Sequence, residues 1–583
     1  LCYFTGATRQ TLRSLEKQGL IALRSREEYR ISPREYGVPA EEITLNQQQQ
    51  SAYDTILRQT ETGRAGVTLL QGVTGSGKTL VYIRLAQTLL EQGKSVMILV
   101  PEIALTPQMM ARFTAYFGRK VALLHSGLRL TERWDQYKRI RRGEATVVLG
   151  TRSAVFAPLE RLGLIILDEE QESSYESEKA PCYHARDIAK YRCVQEGARL
   201  VLGSATPTVE TAYYARMGDY GLCRLTERFN QRRLPQVILA DMRRELRDGN
   251  FSCISRPLRQ ELERNLAAGE QSILFLNRRG SSRQLLCPQC GYVPQCPRCS
   301  VYLTYHSANG RMMCHYCGHS QPAPDTCPDC GGAMKHIGFG TQKVEEELTR
   351  LFPGTELLRM DADTVGEGHE KLLREFQRRR IPILLGTQMV AKGLDFENVT
   401  LVGVLGIDSL LFAQGFRAYE NVFSLITQVV GRSGRAKDPG FAIIQTTDPD
   451  NPVLNLAAAQ DYDAFFEQEI AYRKLGLYPP FCGLCVIGFA GAKEIETARA
   501  AARFAALLGQ QAAKQPDLPL RVLGPTPGSI EKINDTYRYK LTIKCRNDRR
   551  FRDLVRSALE LYEQEKLPSK ATVAVDLHSD GDI

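Results

Sequence analysis

The segment from Gly72 to Thr79, Gly-Val-Thr-Gly-Ser-Gly-Lys-Thr, has the spacing of a phosphate-binding loop. It follows the apolar run Val67–Leu70 and opens a segment of helical spacing, which is the context that such a loop requires. Glycines let backbone N–H groups turn toward phosphate oxygens, and a helix start adds partial positive charge. We predict that Lys78 reaches the β- and γ-phosphates of ATP and that Thr79 holds Mg²⁺. The predicted ATP-binding residues of the loop are Gly72, Thr74, Gly75, Ser76, Gly77, Lys78 and Thr79.

An acidic group follows the apolar run Leu164–Leu167, in the segment Asp168-Glu169-Glu-Gln171. Ligands bind at the carboxyl ends of parallel strands, so this group should lie beside the phosphate loop. Asp168 is predicted to bind Mg²⁺, directly or through water, and Glu169 to polarise the attacking water as general base. Acidic pairs after strands are common in solvated loops, and the phosphate loop in the same lobe favours the catalytic interpretation.

Two further segments complete the candidate ATP site. Ser204-Ala-Thr206 follows another apolar run, and Gln428-Val-Val-Gly-Arg432-Ser-Gly-Arg435 places two arginines three residues apart in a later part of the chain. A guanidinium can contact phosphate in a bidentate manner and stabilise the charge that develops during hydrolysis. Arg432 and Arg435 are therefore predicted catalytic residues, and the two parts of the chain should form a cleft that ATP closes.

The chain has 16 cysteines, and half of them form four Cys-x-x-Cys pairs between Cys287 and Cys330. Four thiolates make a closed tetrahedral Zn²⁺ site, so eight predict two structural zinc ions. The link from Cys299 to Cys314 has the length of a ribbon loop, so the two inner pairs should share one ion and the two outer pairs the other. The predicted ligand sets are Cys287, Cys290, Cys327 and Cys330 for one site, and Cys296, Cys299, Cys314 and Cys317 for the other.

Short apolar runs that alternate with helical segments predict parallel sheets covered on both faces. Besides the runs named above, they are Val96–Val100, Val147–Leu149, Leu200–Leu202, Ser272–Leu276, Ile383–Leu385, Leu401–Leu405 and Ala442–Gln445. The predicted fold class is α/β, with two such lobes, a zinc-binding insertion in the second, and an α+β C-terminal domain. Near the start, helical spacing over Thr11–Gly19 and a predicted strand at Leu20–Leu23 are typical of a winged-helix remnant. The predicted domains are 1–38 (winged-helix remnant), 39–228 (lobe 1), 229–286 with 331–455 (lobe 2), 287–330 (insertion) and 456–583 (helical connector and C-terminal domain).

Composition limits the class of protein. The 583 residues are 43% hydrophobic and 24% charged, as in an ordinary globular protein. The net charge of +10 weakly favours a polyanionic partner. There is no apolar run of about 18 residues and no leader, which predicts a cytoplasmic protein without a membrane span. Because the first residue is Leu1, we expect that the chain is a fragment.

The order of the four ATP-site segments resembles superfamily 2 helicases, and closer features resemble the PriA family of primosomal helicases. The resemblance covers nearly the whole chain from residue 39 onward, and the closer features lie in seven further segments. They are Pro101–Pro107, His125–Gly127, Gly150–Ala154, Tyr183–Asp187, Phe275–Gly280, Gly386–Gly393 and Leu523–Pro525. The resemblance implies RecA-like lobes and a bacterial, nucleoid-associated enzyme with ATP, Mg²⁺ and two Zn²⁺ ions.

The resemblance also implies a 3′-to-5′ DNA helicase that recognises branched or stalled forks and helps to load the replicative helicase. Its expected partners are forked or single-stranded DNA, single-stranded-DNA-binding protein and primosome helicase-loading proteins. Leu45-Asn46 and Gln49 would recognise the adenine, and Arg435 with Arg432 would contact the γ-phosphate. Two departures are expected to matter: Gln171 stands where the family usually has histidine, and the family's N-terminal DNA-binding domain is missing.

Candidate DNA contacts lie in the loops that leave the strands of both lobes. They are His125, Arg152, Arg278, Arg279 and Lys392. Such contacts to phosphate carry affinity without sequence specificity. Tyr175 and Tyr183 are candidates for base stacking, with core packing an equal alternative for Tyr183. Two other functions stay open: an RNA helicase or DNA translocase with the same ATP site, and a zinc-held DNA-binding scaffold that does not hydrolyse ATP.

Overall fold

The fold is that of a computed structural model of the 583-residue chain. The structure describes residues 8–22, 29, 42–101, 107–177, 182–228, 235–277, 284–287, 290, 292, 294–298, 302–306, 310–314, 319–337, 341–360, 369–387, 396, 398–411, 415–431, 440–565 and 571–577. Within the described residues, each helix is too short or too polar to span a lipid bilayer.

The first described segment is a single helix, α1 (Arg9–Lys17). The Thr8 side chain caps its start by accepting a hydrogen bond from the Thr11 backbone N–H, and Gly19 follows its end at φ +71°. The predicted helix is therefore present. Residues 20–22 are not in a strand, so the predicted strand at Leu20–Leu23 is wrong for those three residues, and Leu23 lies outside the described residues. The winged-helix remnant stays a prediction.

Lobe 1 is a seven-stranded parallel sheet in the order β3-β4-β2-β5-β6-β1-β7. Its strands are β1 (Gly66–Gly72), β2 (Ser95–Leu99), β3 (Val121–Leu124), β4 (Val147–Gly150), β5 (Leu162–Asp168), β6 (Arg199–Ser204) and β7 (Gly221–Leu225). Its helices are α2 (Gln47–Glu61), α3 (Lys78–Glu91), α4 (Pro107–Phe117), α5 (Leu130–Arg141), α6 (Ala185–Glu196) and α7 (Val209–Met217). Three short 3₁₀ turns span Gly118–Lys120, Arg152–Phe156 and Ser173–Tyr175. The strands are buried on both faces because helices cover both sides, as their continuous apolar runs predict.

Lobe 2 is a six-stranded parallel sheet in the order β15-β16-β9-β17-β18-β8. Before the insertion it contains β8 (Gln236–Asp241), α8 (Met242–Arg247), α9 (Arg256–Ala268) and β9 (Gln271–Leu276). The insertion consists of a two-stranded and a three-stranded sheet, made by β10 (Gln284–Leu286), β11 (Thr304–His306), β12 (Arg311–Met313), β13 (Ser320–Pro322) and β14 (Lys335–Ile337). Lobe 2 then continues with α10 (Thr341–Leu351), β15 (Leu357–Met360), α11 (His369–Arg379), β16 (Ile383–Gly386), β17 (Val399–Leu405), α12 (Asp408–Leu411), α13 (Ala418–Val430) and β18 (Phe441–Thr446).

Two connector helices, α14 (Pro452–Ala458) and α15 (Tyr462–Gly476), lead to the C-terminal domain. That domain packs two helices on an antiparallel sheet of order β20-β21-β19-β22. Its elements are β19 (Gly483–Gly491), α16 (Glu494–Ala512), β20 (Leu520–Ile533), β21 (Thr536–Cys545), α17 (Arg549–Gln564) and β22 (Thr572–Asp576). The tip of the β20–β21 hairpin reaches the insertion, where the Asp535 backbone N–H donates to the Arg298 carbonyl at 2.8 Å and Ile533 packs on the insertion's apolar core.

Every apolar run that the sequence analysis assigns to a lobe forms a strand. The fold class is thus confirmed: two parallel-sheet lobes, a cysteine-rich insertion in the second and an α+β C-terminal domain. The runs do not predict β3, β7, β8 or β15, which are the four edge strands of the two lobe sheets. The residue numbers at which the predicted domains begin and end stay predictions.

Candidate nucleotide site and cysteine cluster

The phosphate loop connects β1 to α3 in a tight turn that requires glycine. Gly75 and Gly77 have φ of +81° and +80°, a left-handed conformation that L side chains rarely adopt. A Cβ on Gly72 would lie 2.5 Å from the Ser76 Oγ, so the loop closes on itself at that point. The Lys78 Nζ is buried and donates to the Gly72 carbonyl at 2.8 Å, across the mouth of the loop. The segment therefore forms a tight strand-to-helix turn with Thr79 in the first turn of α3, and phosphate binding by its residues stays a prediction.

Gln49 packs against the phosphate loop, and its side chain is fully buried. Its Nε2 donates to the Ser76 carbonyl at 2.8 Å, and its Oε1 accepts from the Asn46 backbone N–H at 2.9 Å. The same contact caps the start of α2, since Asn46 also accepts from the Gln49 backbone. The structure thus places Gln49 as a support of the phosphate loop. Recognition of adenine by Leu45, Asn46 and Gln49 stays a prediction.

The acidic group meets the phosphate loop because β5, β6 and β1 are neighbours in the sheet. Asp168 ends β5, and Tyr82 of α3 donates its hydroxyl to the Asp168 Oδ1 at 2.9 Å. Burial and the neighbouring Glu169 raise the pKa of Asp168 to about 6, although Lys78 and the Tyr82 hydrogen bond act in the opposite direction. Glu169 follows at φ +48°, a conformation that non-glycine residues adopt mainly where the surroundings impose it. Asp168, Glu169 and Lys78 are therefore brought together as predicted from their positions.

Tyr82 is a site residue that sequence analysis missed. It lies four residues after Lys78, on the same face of α3, and that spacing is the signal that would have found it. A Cβ on Gly203 would overlap the Tyr82 hydroxyl and lie 3.2 Å from the Asp168 Oδ1. Glycine at position 203 of β6 therefore leaves the space through which Tyr82 reaches Asp168.

A chain of hydrogen bonds links Glu169 to lobe 2. The Gln171 Nε2 donates to the Glu169 Oε2 at 2.8 Å, and the Ser204 Oγ donates to the Gln171 Oε1 at 2.5 Å. The Thr206 backbone N–H donates to the Ser204 Oγ at 2.9 Å, and the Thr206 and Ser424 hydroxyl oxygens lie 2.9 Å apart. Because Ser424 belongs to α13, the group predicted to activate water is connected to the other lobe through Gln171.

The end of α13 lies directly against the phosphate loop. A Cβ on Gly431 would lie 2.9 Å from three side-chain atoms of Thr74, and the Gln428 Nε2 donates to the Glu172 Oε1 at 3.1 Å. Lobe 2 therefore contributes one wall of the nucleotide site. Arg432 and Arg435, which follow Gly431, lie outside the described residues, and their catalytic role stays a prediction.

Two of the five candidate DNA-binding residues, His125 and Arg152, lie in the part of the chain that the structure describes. His125 is half-buried at the carboxyl end of β3. The Arg152 Nη1 donates to the backbone carbonyls of Ser174 and Glu176, and its guanidinium lies 5.8 Å from the centre of the Tyr183 ring. Arg152 thus holds the loop that follows the acidic group. The remaining three, Arg278, Arg279 and Lys392, lie outside the described residues.

Base stacking by Tyr175 is wrong. This side chain is fully buried, and its hydroxyl lies 2.6 Å from the Asp168 carbonyl oxygen and 2.9 Å from that of Leu99. Tyr175 is therefore part of the lobe 1 core beneath the acidic group. Tyr183 is half-buried and packs edge-on against Phe156, with ring centres 5.0 Å apart.

The outer cysteine pairs converge on one point. The sulfur atoms of Cys287, Cys290, Cys327 and Cys330 all lie within 4.8 Å of one another, with separations of 3.4 Å for Cys287 to Cys330 and 3.5 Å for Cys290 to Cys327. Four sulfurs bound to one Zn²⁺ at about 2.3 Å stand roughly 3.8 Å apart, so this donor set fits a closed zinc site. Of the inner pairs, Cys296 and Cys314 are buried in the insertion's core, and Cys299 and Cys317 lie outside the described residues.

Together, these features define a class. A phosphate loop and an acidic group at the strand ends of one parallel-sheet lobe, closed by a helix end from a second such lobe, are the ATP site of a helicase-type motor. The comparisons with known proteins agree. The model for "DEAD/DEAH box helicase" matches residues 46–213, and that for "Helicase conserved C-terminal domain" matches 337–437.

The other matches identify the family. Residues 296–322 match the "PriA DNA helicase Cys-rich region (CRR) domain", and residues 474–579 match the "Primosomal protein N C-terminal domain". The replication restart protein PriA of Bacillus subtilis is 43% identical over 99% of this chain and 72% of its own length. PriA of Synechocystis sp. is 42% identical over 92% of this chain and 65% of its own length. The chain therefore belongs to the family of the replication restart protein PriA, a family of ATP-dependent DNA helicases.

Among solved structures, RecG bound to a three-way DNA junction aligns with a TM-score of 0.45 and 17% sequence identity. The alignment covers 76% of this chain and 51% of that one.

Gln171→His tests the departure from the family at this position. We expect ATP hydrolysis to stay within about threefold of the parent and the number of base pairs unwound per ATP to rise. The reason is that histidine can become cationic beside Glu169, whereas glutamine only donates and accepts hydrogen bonds. The measurement is ATP hydrolysis and strand separation on the same DNA.

The comparison variant is Gln171→Leu, which removes both hydrogen bonds of the amide and should lower the rate of ATP hydrolysis by about tenfold. If Gln171→His unwinds as many base pairs per ATP as the parent, glutamine couples the lobes as well as histidine does.

Proposed function

We propose that this chain is a 3′-to-5′ DNA helicase that recognises branched or stalled replication forks and helps to load the replicative helicase. Membership of the PriA family supports the role in primosome assembly and replication restart. The observation that most directly supports motor activity is the contact of Gly431 with Thr74, because it places lobe 2 against the phosphate loop.

In the proposed mechanism, the backbone of Gly72–Thr79 and the Lys78 ammonium bind the phosphates of ATP. Thr79 and Asp168 would hold Mg²⁺, which neutralises the charge of the transferred phosphoryl group. Glu169 would accept the proton of the attacking water. The hydrogen bond from Gln171 would hold the Glu169 carboxylate in place for this step. Arg432 and Arg435 would approach from lobe 2 and stabilise the developing negative charge.

Motion would follow from the change in contacts at the γ-phosphate. The hydrogen-bond chain from Glu169 to Ser424 supports this step, since it joins the water-activating group to α13. DNA would track across loops of both lobes that carry His125, Arg152, Arg278, Arg279 and Lys392. The net charge of +10 favours a phosphate backbone as partner.

We also propose two structural zinc ions, one for the outer and one for the inner cysteine pairs. The geometry of Cys287, Cys290, Cys327 and Cys330 supports the first. The burial of Cys296 and Cys314 in one apolar core, within the matched cysteine-rich region, supports the second. Single-stranded-DNA-binding protein and helicase-loading proteins as partners, and a cytoplasmic, nucleoid-associated location, rest on family membership alone.

The substrate and polarity are tested by strand separation. Forked DNA with a 3′ or a 5′ single-stranded arm, and an RNA duplex of the same sequence, are offered to the parent chain, to Lys78→Ala and to Arg84→Ala. We expect unwinding of the DNA entered from its 3′ arm, at a rate about tenfold or more above that on RNA. Lys78→Ala should abolish it, because the loop loses its phosphate-binding cation. Arg84 is exposed on the same helix, so Arg84→Ala serves as the matched control.

Each alternative has its own outcome. Equal rates of unwinding on DNA and RNA would show that the proposed preference for DNA is wrong. DNA-stimulated ATP hydrolysis without strand separation would indicate a translocase. DNA binding without ATP hydrolysis by the parent chain would favour the scaffold.

The zinc content tests the two-ion proposal. Metal analysis of the purified chain should give two zinc ions, and Cys287→Ser and Cys296→Ser should each lose one, because each site needs its four thiolates. Cys482→Ser is the control, since this cysteine lies outside the insertion with its Sγ 2.9 Å from the Leu477 carbonyl. A Cys296→Ser chain that keeps the parent's zinc content would contradict the second site.

A further inference from the structure

The connector helix α15 places an arginine at the junction of the two lobes. Arg473 is fully buried, and all three of its guanidinium nitrogens contact carboxylates. Its Nε lies 2.9 Å from Glu469 of the same helix, its Nη2 2.8 Å from Glu420 of lobe 2, and its Nη1 3.1 Å from Glu210 of lobe 1. One side chain from the connector thus contacts both lobes at once.

The carboxylates that Arg473 contacts also hold the lobes to each other. The Glu420 Oε1 accepts the Val209 backbone N–H at 2.7 Å, so a residue of lobe 2 satisfies the first N–H of α7 in lobe 1. Arg417 of lobe 2 pairs with Glu420 at 3.1 Å and, on the other side, with Glu210. The cluster therefore consists of three carboxylates and two guanidinium groups that come from three parts of the chain.

The other end of α15 is tied to lobe 1. The Tyr462 hydroxyl donates to the Pro207 carbonyl at 2.7 Å, and Asp463 pairs with Arg216 and, at 3.2 Å, with Arg224. The helix thus follows the line along which the lobes meet, with its first turn on lobe 1 and Arg473 between the lobes.

The electrostatics show how strongly the cluster depends on its arginines. Burial alone would raise the pKa of Glu210, but Arg417 and Arg473 lower it to about 2. Burial also raises the pKa of Glu469, an effect that Arg473 opposes. Without Arg473, the buried Glu469 would lose its ion-pair partner in the cluster, and Glu210 and Glu420 would keep Arg417 but lose one of their two guanidinium partners. A buried charge left without its partner is strongly destabilising.

We propose that Arg473 is a positioning residue for ATP hydrolysis, which sets the angle at which lobe 2 presents the end of α13 to the phosphate loop. This inference rests on the proposed ATP-driven function. The connection is direct: Glu420 lies in the first turn of α13, and the same helix ends at Gly431 beside Thr74. A helix of this length spans about 19 Å, so a tilt of about 5° at Glu420 would move its far end by roughly 1.5 Å. A shift of that size is enough to misplace a catalytic group.

The same cluster lies beside the hydrogen-bond chain in lobe 1. Helix α7, which carries Glu210, begins three residues after Thr206, and Thr206 contacts Ser424 of α13. Arg473 therefore contacts both helices that flank the Thr206–Ser424 contact, α7 through Glu210 and α13 through Glu420. It also ties this connection to the C-terminal domain, since α15 leads into that domain through Pro479, whose carbonyl accepts from the Arg473 Nη1 at 3.3 Å.

The test compares Arg473→Met and Arg473→Lys with Lys474→Met, an exposed neighbour on the same helix, as control. The measurements are ADP affinity, the kcat and KM of DNA-stimulated ATP hydrolysis, and the unfolding temperature. We expect Arg473→Met to lower kcat at least about tenfold with ADP affinity within about twofold, because the phosphate loop belongs to lobe 1. Arg473→Lys should recover part of the loss, since one ammonium cannot serve three carboxylates in this planar arrangement. Lys474→Met should match the parent chain.

A second variant covers the possibility that Arg473→Met does not fold. Arg473→Met with Glu469→Met removes a neighbouring pair of opposite charges from one helix, and we expect the same loss of kcat in a folded chain. An unchanged kcat in the folded double variant would overturn the inference and leave Arg473 a purely structural residue. If neither Met variant folds, Arg473→Lys decides: a kcat equal to that of the parent overturns the inference. A parent chain without DNA-stimulated ATP hydrolysis would instead overturn the proposed function, and this inference with it.

Discussion

The contact on which the rest of the site depends is the burial of α7, a helix of lobe 1, in the apolar core of lobe 2. Val209 and Ala212 share that core with Phe423 and Val430 of α13. Since apolar burial is non-directional, it holds the two sheets together without fixing their angle. The hydrogen bonds and ion pairs around this contact are directional, and they determine the angle at which the lobes face each other.

The described residues of the nucleotide site are connected to this contact through the lobe 1 sheet. Strand β6 leads through Ser204 and Thr206 into α7, and its neighbours β1 and β5 carry the phosphate loop and Asp168. A movement of α7 relative to the sheet would therefore reach Glu169 through Gln171 without passing through flexible chain. The arrangement gives a physical reason why the segment Ser204–Thr206 belongs to an ATP site although it has no side chain with an acid or base function.

Much of this could be predicted from the sequence because the signals are local. A phosphate loop, apolar runs of buried strands and Cys-x-x-Cys pairs are all defined by residues a few positions apart. The edge strands β7, β8 and β15 were missed because they are only partly buried and so lack a continuous apolar run. The four-residue strand β3 is buried along its whole length and is as long an apolar run as Val67–Leu70, so its sequence carries the same signal and the strand was overlooked.

The interlobe features could not be predicted for a different reason. Arg473, Glu210 and Glu420 are far apart in the chain and have no spacing rule, and charged residues in helices normally indicate a solvated face. Tyr175 shows the same limit: an aromatic residue in a polar loop suggested stacking on a base, whereas the backbone carbonyls at the ends of β2 and β5 give its hydroxyl partners inside the core.

Lobe 2 completes the nucleotide site on lobe 1 through the end of α13, and the variant Gly431→Ala changes this contact by a single methyl group. The backbone of Gly431 is helical, with φ −60°, so alanine introduces no backbone strain and only the contact with Thr74 changes. The matched control is Gly509→Ala, a helical position where an added Cβ meets nothing within 4 Å. The measurement is DNA-stimulated ATP hydrolysis together with ADP affinity. We expect Gly431→Ala to lower kcat by about tenfold or more and to keep the ADP affinity of the parent chain. Gly509→Ala should keep both the kcat and the ADP affinity of the parent chain. A kcat of Gly431→Ala equal to that of the parent would contradict this role of lobe 2, because its helix end would then not be in place when ATP is cleaved.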